Sequence, residues 1–272
     1  ITGFGIRDSI QTIVTKQYEE IYRYDGTVTF DQNVSVSEVN DLYDQYQTNA
    51  NISNSTLLYA YSSKVLHPDN DDETAYVQVF DNASDISQMY ELQTRVGSQP
   101  LSLTDDGVVI SEKLSENLNK KIGDTITIES KDGMEAEVKI TGICEMYVRH
   151  YVFMTKNYYK STFGTAVSDN TMAVKLQGTD EEKQALQDTF ANTEQISSVE
   201  FFGALIDNFN QMISGLDIIV LVLILSSASL AGVVLGNLTN VNISERMREI
   251  ATLKVLGFRR KEVENYIYKE NN

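Results

Sequence analysis

One long apolar run interrupts the pattern of hydrophobic and polar positions along the chain. From Ile218 to Leu235 the sequence reads IIVLVLILSSASLAGVVL, without a charged side chain. A helix of about 20 such residues crosses the hydrocarbon layer of a membrane. A buried core helix of a soluble protein has the same pattern, but a helix that is apolar on every side is seldom needed in a domain of this size. The run therefore predicts a membrane span.

Amphipathic helices are predicted on both sides of the polar part of the chain. Apolar residues recur at helical spacing near the start and again just before the apolar run. The first set is Ile6, Ile10, Ile13, Val14 and Ile21, and the second is Leu205, Phe209, Met212, Leu216 and Ile219. We expect a stalk helix over 1–25, and a stalk that continues into the membrane helix over 205–241. Two stalks imply two spans, so a first span is expected upstream of Ile1.

The segment between the stalks alternates short strands and helices. β-branched, aromatic or alternating positions predict strands over 27–30, 57–66, 75–80, 107–110, 125–128, 135–143, 171–176 and 196–202. Helical spacing predicts helices over 36–47, 85–93, 111–118 and 180–191. The predicted fold class is α+β. We expect a two-lobed domain over 26–204, in which 102–169 is inserted as a β-rich lobe.

Charge and motif content argue against several classes of function. The 22 Lys and Arg stand against 39 Asp and Glu, a net charge of −17, so a basic face for nucleic acid is not expected. The single cysteine, Cys144, excludes an internal disulfide and a multi-cysteine metal site. No GxxxxGK[ST] motif is present, so any ATP would have to bind a partner.

The isolated candidates for catalysis or metal binding have simpler explanations. The acidic run 69–73 lacks the glycine and the glutamate of a calcium loop and is expected to be a turn. His67 and His150 stand without the spacing of metal ligands, and Cys144 ends a strand pattern as a small buried residue would. We therefore expect no catalytic residue, no metal and no cofactor, and a soluble enzyme is the weakest alternative.

A group of aromatic residues lies between positions 147 and 163. Such a group can line a binding face for a peptide or lipid, but packing inside a core or lobe is its commoner use. Its members are Tyr147, Tyr151, Phe153, Tyr158, Tyr159 and Phe163.

A short amphipathic helix is predicted after the apolar run, over 242–258. Asn242 and Glu245 have the spacing of a capping box, and Gly257 is a helix-ending residue. Lys and Arg are frequent from here on, and the positive-inside rule therefore places this end in the cytoplasm and the domain before the span outside the cell. Residues 259–272 are expected to begin a third span.

The stretch SERMREIATLKVLGFRRKEV resembles the cytoplasmic loop of FtsX-like permeases, the MacB-type membrane subunits of ABC transporters. More loosely, GVVISEKLSENLNKKIGDTITI and VKITGICEMYVRHYVFMT are similar to the outer domains of these permeases. The resemblance implies an outer domain with a porter-like α/β lobe and a smaller β lobe.

The resemblance also implies that the short helix contacts a cytoplasmic ABC ATPase. The residues it assigns to that contact are Ser244, Glu245, Arg246, Arg248, Glu249, Ile250, Leu253, Lys254 and Gly257. The alternative is an amphipathic helix that rests on lipid headgroups.

Two functions fit this organisation. The first is a permease subunit that converts ATP hydrolysis into movement of the outer domain, for export or release of an amphiphile, peptide or lipoprotein. The second is an FtsX-like transmitter that regulates a cell-wall hydrolase or sensor kinase. Both imply a bacterial cell membrane, contact with membrane lipid and a permease dimer, and the second adds an extracytoplasmic protein partner.

Overall fold

The computed structural model describes residues 2–67 and 71–257, which divide into two units. One unit is residues 5–211, and the described residues 2–4 and 212–257 belong to the other. The first helix, α1, spans Thr2–Thr15 and passes directly into a π-helical segment at Lys16–Ile21. Helical structure thus occupies residues 2–21 of the segment 1–25, for which the role of a stalk stays a prediction.

Nine strands and six further helices follow in the described chain. The strands are β1 Gly26–Phe30, β2 Ile52–Leu66, β3 Glu73–Phe80, β4 Val108–Ser111, β5 Thr125–Glu129, β6 Glu135–Cys144, β7 Tyr151–Thr155, β8 Thr171–Leu176 and β9 Ile196–Phe201. The helices are α2 Val36–Gln47, α3 Ala83–Met89, α4 Glu112–Leu118, α5 Lys156–Phe163, α6 Asp180–Ala191 and α7 Phe202–Val255.

Capping boxes fix the starts of helices α2 and α6 in the unit of residues 5–211. The Ser35 side chain accepts a hydrogen bond from the Glu38 backbone, and the Glu38 side chain accepts one from the Ser35 backbone. Thr179 and Glu182 make the same exchange at α6. Each pair satisfies backbone N–H groups that have no partner within the helix. Both helices therefore begin where the sequence predicts.

The first lobe is an antiparallel sheet in the order β2-β8-β1-β9. Its core is built by alternate strand residues together with apolar side chains of α2 and α6. The core includes Val28, Val39, Met172, Val174, Leu186 and Phe190. Two helices against one face of a four-stranded sheet bury a single apolar layer.

The second lobe is a barrel of six strands. The pairs β2–β3, β3–β7, β7–β4, β4–β6, β6–β5 and β5–β2 close the sheet on itself. Alternate residues such as Val77, Ile110, Ile128, Ile140 and Val152 are fully buried in its core. A closed sheet leaves no unpaired strand edge within the barrel.

Strand β2 belongs to both lobes. Residues 52–58 pair with β8, residues 59–65 pair with β3, and residues 65–66 pair with β5. A third core lies between the lobes and includes Leu58, Met89, Tyr90, Phe153 and Phe202. The shared strand and this core join the lobes.

The predicted α+β class and its two lobes are confirmed. Strands β2 and β3 lie outside the expected insertion 102–169, yet they take part in the barrel. Strand β7 and helix α5 were not predicted, because every residue of β7 is buried and the segment has no alternating pattern. Such a run of aromatic and apolar residues has no period that distinguishes strand from helix.

The predicted start of a separate helix at Asn242 is wrong. Helix α7 runs without a break from Phe202 to Val255. No Gly or Pro lies between Gly236 and Gly257, so nothing interrupts the backbone hydrogen bonds, and Asn242 and Glu245 lie inside the helix. The predicted end is confirmed, because Gly257 has φ of +91° and follows the last turn. The expected third span at 259–272 lies outside the described residues.

Gly107 is a position where only glycine fits. A Cβ atom there would overlap the Lys139 carbonyl oxygen and lie 2.6 Å from Thr141 Cγ2. We predict that Gly107→Ala lowers the free energy of unfolding by about 1–3 kcal/mol, since strand β6 must shift to make room. Thermal unfolding of the purified chain in detergent, followed by circular dichroism, measures the change.

The matched control is Gly203→Ala in the first turn of α7. A Cβ atom at Gly203 has no neighbour within 4 Å, and alanine in a helix gains about 0.5–1 kcal/mol over glycine. Equal effects of the two substitutions would contradict the packing described around Gly107.

Candidate functional site

The apolar run lies within α7 and is exposed along its length. Exposed side chains there include Ile218, Leu223, Leu225, Val233 and Leu235. Among the described residues, one helix is long and apolar enough to cross a membrane, and none of its most apolar stretch is buried in the protein. The alternative of a core helix in a soluble protein requires burial of this surface. Exposed apolar surface of this extent suits a lipid environment.

Three hydroxyl groups of α7 are hydrogen-bonded within the helix. Ser229 Oγ donates to the Leu225 carbonyl, Thr239 Oγ1 to that of Leu235 and Thr252 Oγ1 to that of Arg248, each at 2.8 Å. Such bonds to the carbonyl four residues earlier remove the cost of placing a hydroxyl in hydrocarbon. The serine and threonine residues of α7 are therefore compatible with a span.

The predicted ATPase contact lies in the last turns of α7. Ser244, Glu245 and Arg248 are exposed, Ile250 is half-buried, and Gly257 follows the end of the helix. The side chains of Arg246, Glu249, Leu253 and Lys254 lie outside the described part of the chain, although their backbone is helical. Glu245 and Arg248 are three residues apart and therefore share one face of the helix. This face offers both charges to a partner.

Comparison with known proteins decides what this segment is. Residues 218–271 match the family model FtsX-like permease C-terminal. These residues are therefore similar to the C-terminal segment of FtsX-like permeases. The resemblance inferred from the sequence is thus confirmed, and the match contains the whole apolar run and every residue predicted to contact an ATPase. No curated protein matches the chain.

Three solved structures resemble this chain at low identity. The extracellular domain of the noncanonic ABC-type transporter YknZ from Gram-positive bacteria is 14% identical, covers 64% of this chain and 99% of its own, with a TM-score of 0.39. The periplasmic region of MacB from Actinobacillus actinomycetemcomitans is 13% identical, with coverages of 76% and 98% and a TM-score of 0.40. A domain of a permease protein from Porphyromonas gingivalis is 16% identical, with coverages of 68% and 89% and a TM-score of 0.34.

The aromatic group at 147–163 serves packing. Tyr151 and Phe153 are buried in the core between the lobes, and Tyr159 and Phe163 are buried against the barrel core. Tyr147 and Tyr158 are half-buried beside these cores. The interpretation as core packing is confirmed for the four buried rings.

The other isolated candidates are placed apart from one another. Cys144 is fully buried at the end of β6, where burial raises the pKa of its thiol. His150 Nε2 lies 3.6 Å from Glu73 Oε2 on β3. Among the described residues, no group of three or more acidic, histidine or cysteine side chains is arranged to hold a metal ion. The described geometry offers these residues no shared site.

A buried cluster of tyrosines joins the residues that follow the π-helical segment to the two lobes. Tyr22 and Tyr151 hydroxyls are 2.7 Å apart, those of Tyr24 and Tyr90 are 2.8 Å apart, and the Tyr90 hydroxyl donates to Gln78 Oε1 at 2.9 Å. Burial raises the pKa of the Tyr22, Tyr24 and Tyr90 hydroxyls, and that of Tyr151 to about 12. All four hydroxyls therefore remain neutral and hydrogen-bonded at physiological pH.

The segment that follows α1 and the first residue of α7 both reach this cluster. Tyr18, in the π-helical segment, packs on Phe202 with ring centroids 5.2 Å apart. Phe202 is the first residue of α7, and its ring lies 4.9 Å from that of Tyr22. The end of the first helix and the start of α7 therefore share one aromatic contact.

Sequence analysis missed Gln17, which is fully buried in the π-helical segment. Its Oε1 accepts hydrogen bonds from the backbone N–H groups of Tyr147 at 2.7 Å and Val148 at 3.2 Å. A signal was present, because Gln17 lies at helical spacing between the apolar residues Val14 and Ile21. A polar residue on an apolar stripe indicates a buried hydrogen bond.

Loss of the Tyr22 hydroxyl tests the cluster. We predict that Tyr22→Phe lowers the free energy of unfolding by about 1–3 kcal/mol, because the Tyr151 hydroxyl is left buried without its partner. Tyr43→Phe is the control: Tyr43 is half-buried and donates to the Ser55 carbonyl at 3.0 Å, so its loss is expected to cost under about 1 kcal/mol. Thermal unfolding in detergent compares them, and a smaller effect at Tyr22 than at Tyr43 would refute the importance of this bond.

Proposed function

We propose that this chain is the membrane permease subunit of an ABC transporter. In this proposal a separate cytoplasmic ATPase hydrolyses ATP, and α7 passes the resulting movement to the domain of residues 5–211, for export or release of an amphiphile, peptide or lipoprotein. The chain itself catalyses no reaction. The observation that supports the proposal is the FtsX-like match over 218–271, which covers the whole exposed apolar run and the charged end of α7.

The exposed charges at the end of α7 support an ATPase contact. Glu245 and Arg248 lie ten residues or more beyond the apolar run, in the same helix. A rigid helix that extends out of the bilayer can transmit a displacement along its length, provided that both ends have two arrangements. The helix is continuous where a separate coupling helix was expected, so in this proposal no hinge lies between the span and the contact.

The distribution of charge supports the orientation. Arg246, Arg248 and Lys254 follow the apolar run closely, whereas the domain before it is acidic. The positive-inside rule counts Lys and Arg near a span and places them in the cytoplasm. We propose that residues 5–211 lie outside the cell, that lipid surrounds the apolar run, and that two copies of the permease form a dimer.

The ATPase contact predicts an effect of Glu245→Lys. Glu245 is exposed, so the substitution is not expected to disturb folding. We predict that co-purification of the ATPase with the full-length permease from detergent-solubilised membranes falls roughly tenfold, which corresponds to about 1.4 kcal/mol. Quantitative pull-down measures the ratio of the two subunits.

Glu194→Lys is the control for that change of charge. Glu194 is also exposed, but it lies between α6 and β9 in the outer unit. Its substitution is expected to leave ATPase association unchanged. If Glu245→Lys retained the ATPase as well as Glu194→Lys does, this end of α7 would rest on lipid headgroups instead.

The proposed orientation predicts which residues an impermeant thiol reagent can reach from outside the cell. Cys144 has 0% exposure and its burial disfavours the reactive thiolate, so the unmodified chain supplies a silent background. In sealed spheroplasts, an impermeant maleimide is expected to label Ser168→Cys, whereas Ser244→Cys is labelled only after permeabilisation. Both serines are exposed. Labelling of Ser244→Cys in sealed spheroplasts would reverse the proposed orientation.

A further inference from the structure

The loop between β6 and β7 contacts both the segment that follows α1 and the strand that precedes α7. We define residues 145–150 as the junction loop. Its backbone is bent, and it passes directly from Cys144 at the end of β6 to Tyr151 at the start of β7, both of them in the barrel. The loop is held from two other directions, by the first helix and by the strand that precedes α7.

The first helix holds the junction loop through Gln17. The hydrogen bonds from Tyr147 and Val148 use both acceptor positions of Gln17 Oε1, and Gln17 Nε2 lies 3.4 Å from Met146 Sδ. Lys16 Nζ adds a charge 4.0 Å from Oε1 of the buried Glu145. One buried side chain thus satisfies two backbone groups of the loop that would otherwise be buried unpaired.

The π-helical segment determines where Gln17 points. The Tyr22 backbone N–H donates to the Gln17 carbonyl at 3.0 Å, five residues earlier. In an α-helix the corresponding bond joins residues four positions apart. The extra residue in the π-helical turn therefore rotates the residues after the turn, relative to those before it, by about a quarter turn. Gln17 and Ile21 are four residues apart and are both buried, so the π-helical turn sets the direction of this buried face relative to α1. π-Helical turns inside α-helices occur frequently at functional sites.

The strand before α7 holds the other end of the junction loop. Arg149 pairs with Glu200 on β9, through Arg149 Nη1 at 3.2 Å from Glu200 Oε2 and through a second, shorter contact. Glu200 lies two residues before Phe202, where α7 begins. Arg149 adopts a φ of +63°, a conformation that costs a non-glycine residue about 1–3 kcal/mol. The surrounding contacts therefore maintain a strained backbone at this point.

The junction loop is also hydrogen-bonded to strand β3 of the barrel. The Tyr76 N–H on β3 donates to the His150 carbonyl at 2.7 Å, and β7 pairs with β3 from Tyr151 onward. Any displacement of residues 147–150 therefore acts on the hydrogen-bonded pairing between β3 and β7. Tyr76 and His150 are half-buried, but the strand pairing that continues from them is fully buried at Val77 and Val152, and close-packed interiors transmit displacement because they are poorly compressible.

We propose that the junction loop transmits movement of the two helices into the barrel, with Gln17 and Arg149 as its positioning residues. This inference rests on the proposed function, since it needs an ATPase that moves the helices. Gln17 fixes the loop to the first helix, and Arg149 fixes it to the strand that leads into α7. Removing either contact reduces the transmission of movement into the barrel, while the Tyr22–Tyr151 hydrogen bond remains and the barrel itself stays folded.

Hydrogen–deuterium exchange tests this role in the full-length permease with its ATPase in nanodiscs. Exchange of the peptides that cover 145–155 and 73–80 is compared with and without ATP, using a hydrolysis-deficient ATPase. We expect an ATP-dependent difference in the unmodified permease, and a loss of at least about threefold of that difference in Gln17→Leu. Gln17→Glu keeps both acceptor positions and is expected to retain the difference.

A second variant keeps the test independent of folding. Arg149→Gly removes the contact with Glu200, but glycine relieves the positive φ, so this variant is expected to fold at least as well as the parent. It should show the same loss of the ATP-dependent difference. An unchanged difference in both Gln17→Leu and Arg149→Gly would overturn the role of the junction loop.

Two further outcomes separate the possible failures. Gly107→Ala weakens the barrel without touching the junction loop and is expected to keep the ATP-dependent difference; its loss there would show that stability, not positioning, governs the response. Absence of any difference in the unmodified permease, with the ATPase bound, would overturn the proposed function and this inference with it.

Discussion

Strand β2 is the constraint on which the arrangement of the outer unit depends. Its 15 residues pair first with β8 and then with β3 and β5, so a single backbone is hydrogen-bonded into two sheets. Because a strand cannot change its register in one sheet without moving every side chain to the opposite face, the two lobes are fixed to each other along it. The core between the lobes, which contains Leu58 and Tyr90, follows from that constraint.

The polar groups of this inter-lobe core make it specific. Gln17, Gln78 and the paired tyrosines are buried, and the bonds of Gln17 with Tyr147 and of Tyr22 with Tyr151 join residues 130 and 129 positions apart. In a low dielectric environment a lost partner costs more than a hydrogen bond in water gains, so these groups allow few alternative packings. An apolar core of the same volume would hold the lobes together but would tolerate sliding between them. Such specificity suits a domain that receives movement from helices.

Much of the secondary structure was predictable from particular residues. Ser35 with Glu38 and Thr179 with Glu182 marked two helix starts, and both capping boxes form. The same reasoning failed at Asn242, because a capping pattern is also tolerated inside a helix when no Gly or Pro stops the backbone hydrogen bonds. Strand β7 was missed because burial on both faces removes the alternation that reveals a strand. The sequence also indicated a charged helix end after the apolar run. The contact of its residues with an ATPase stays a prediction.

The sequence by itself determined the properties that depend on neighbours along the chain. These are the apolar run, the helical periodicities, the caps and the family resemblance at 218–271. Only the tertiary structure decided that β2 and β3 complete a barrel with strands from the inserted segment, and that Gln17 meets the loop at 145–150. Those pairings join residues separated by up to 131 positions, and their free energy comes from burial and hydrogen bonds that exist only once the chain has folded. No local pattern can specify a partner at that distance.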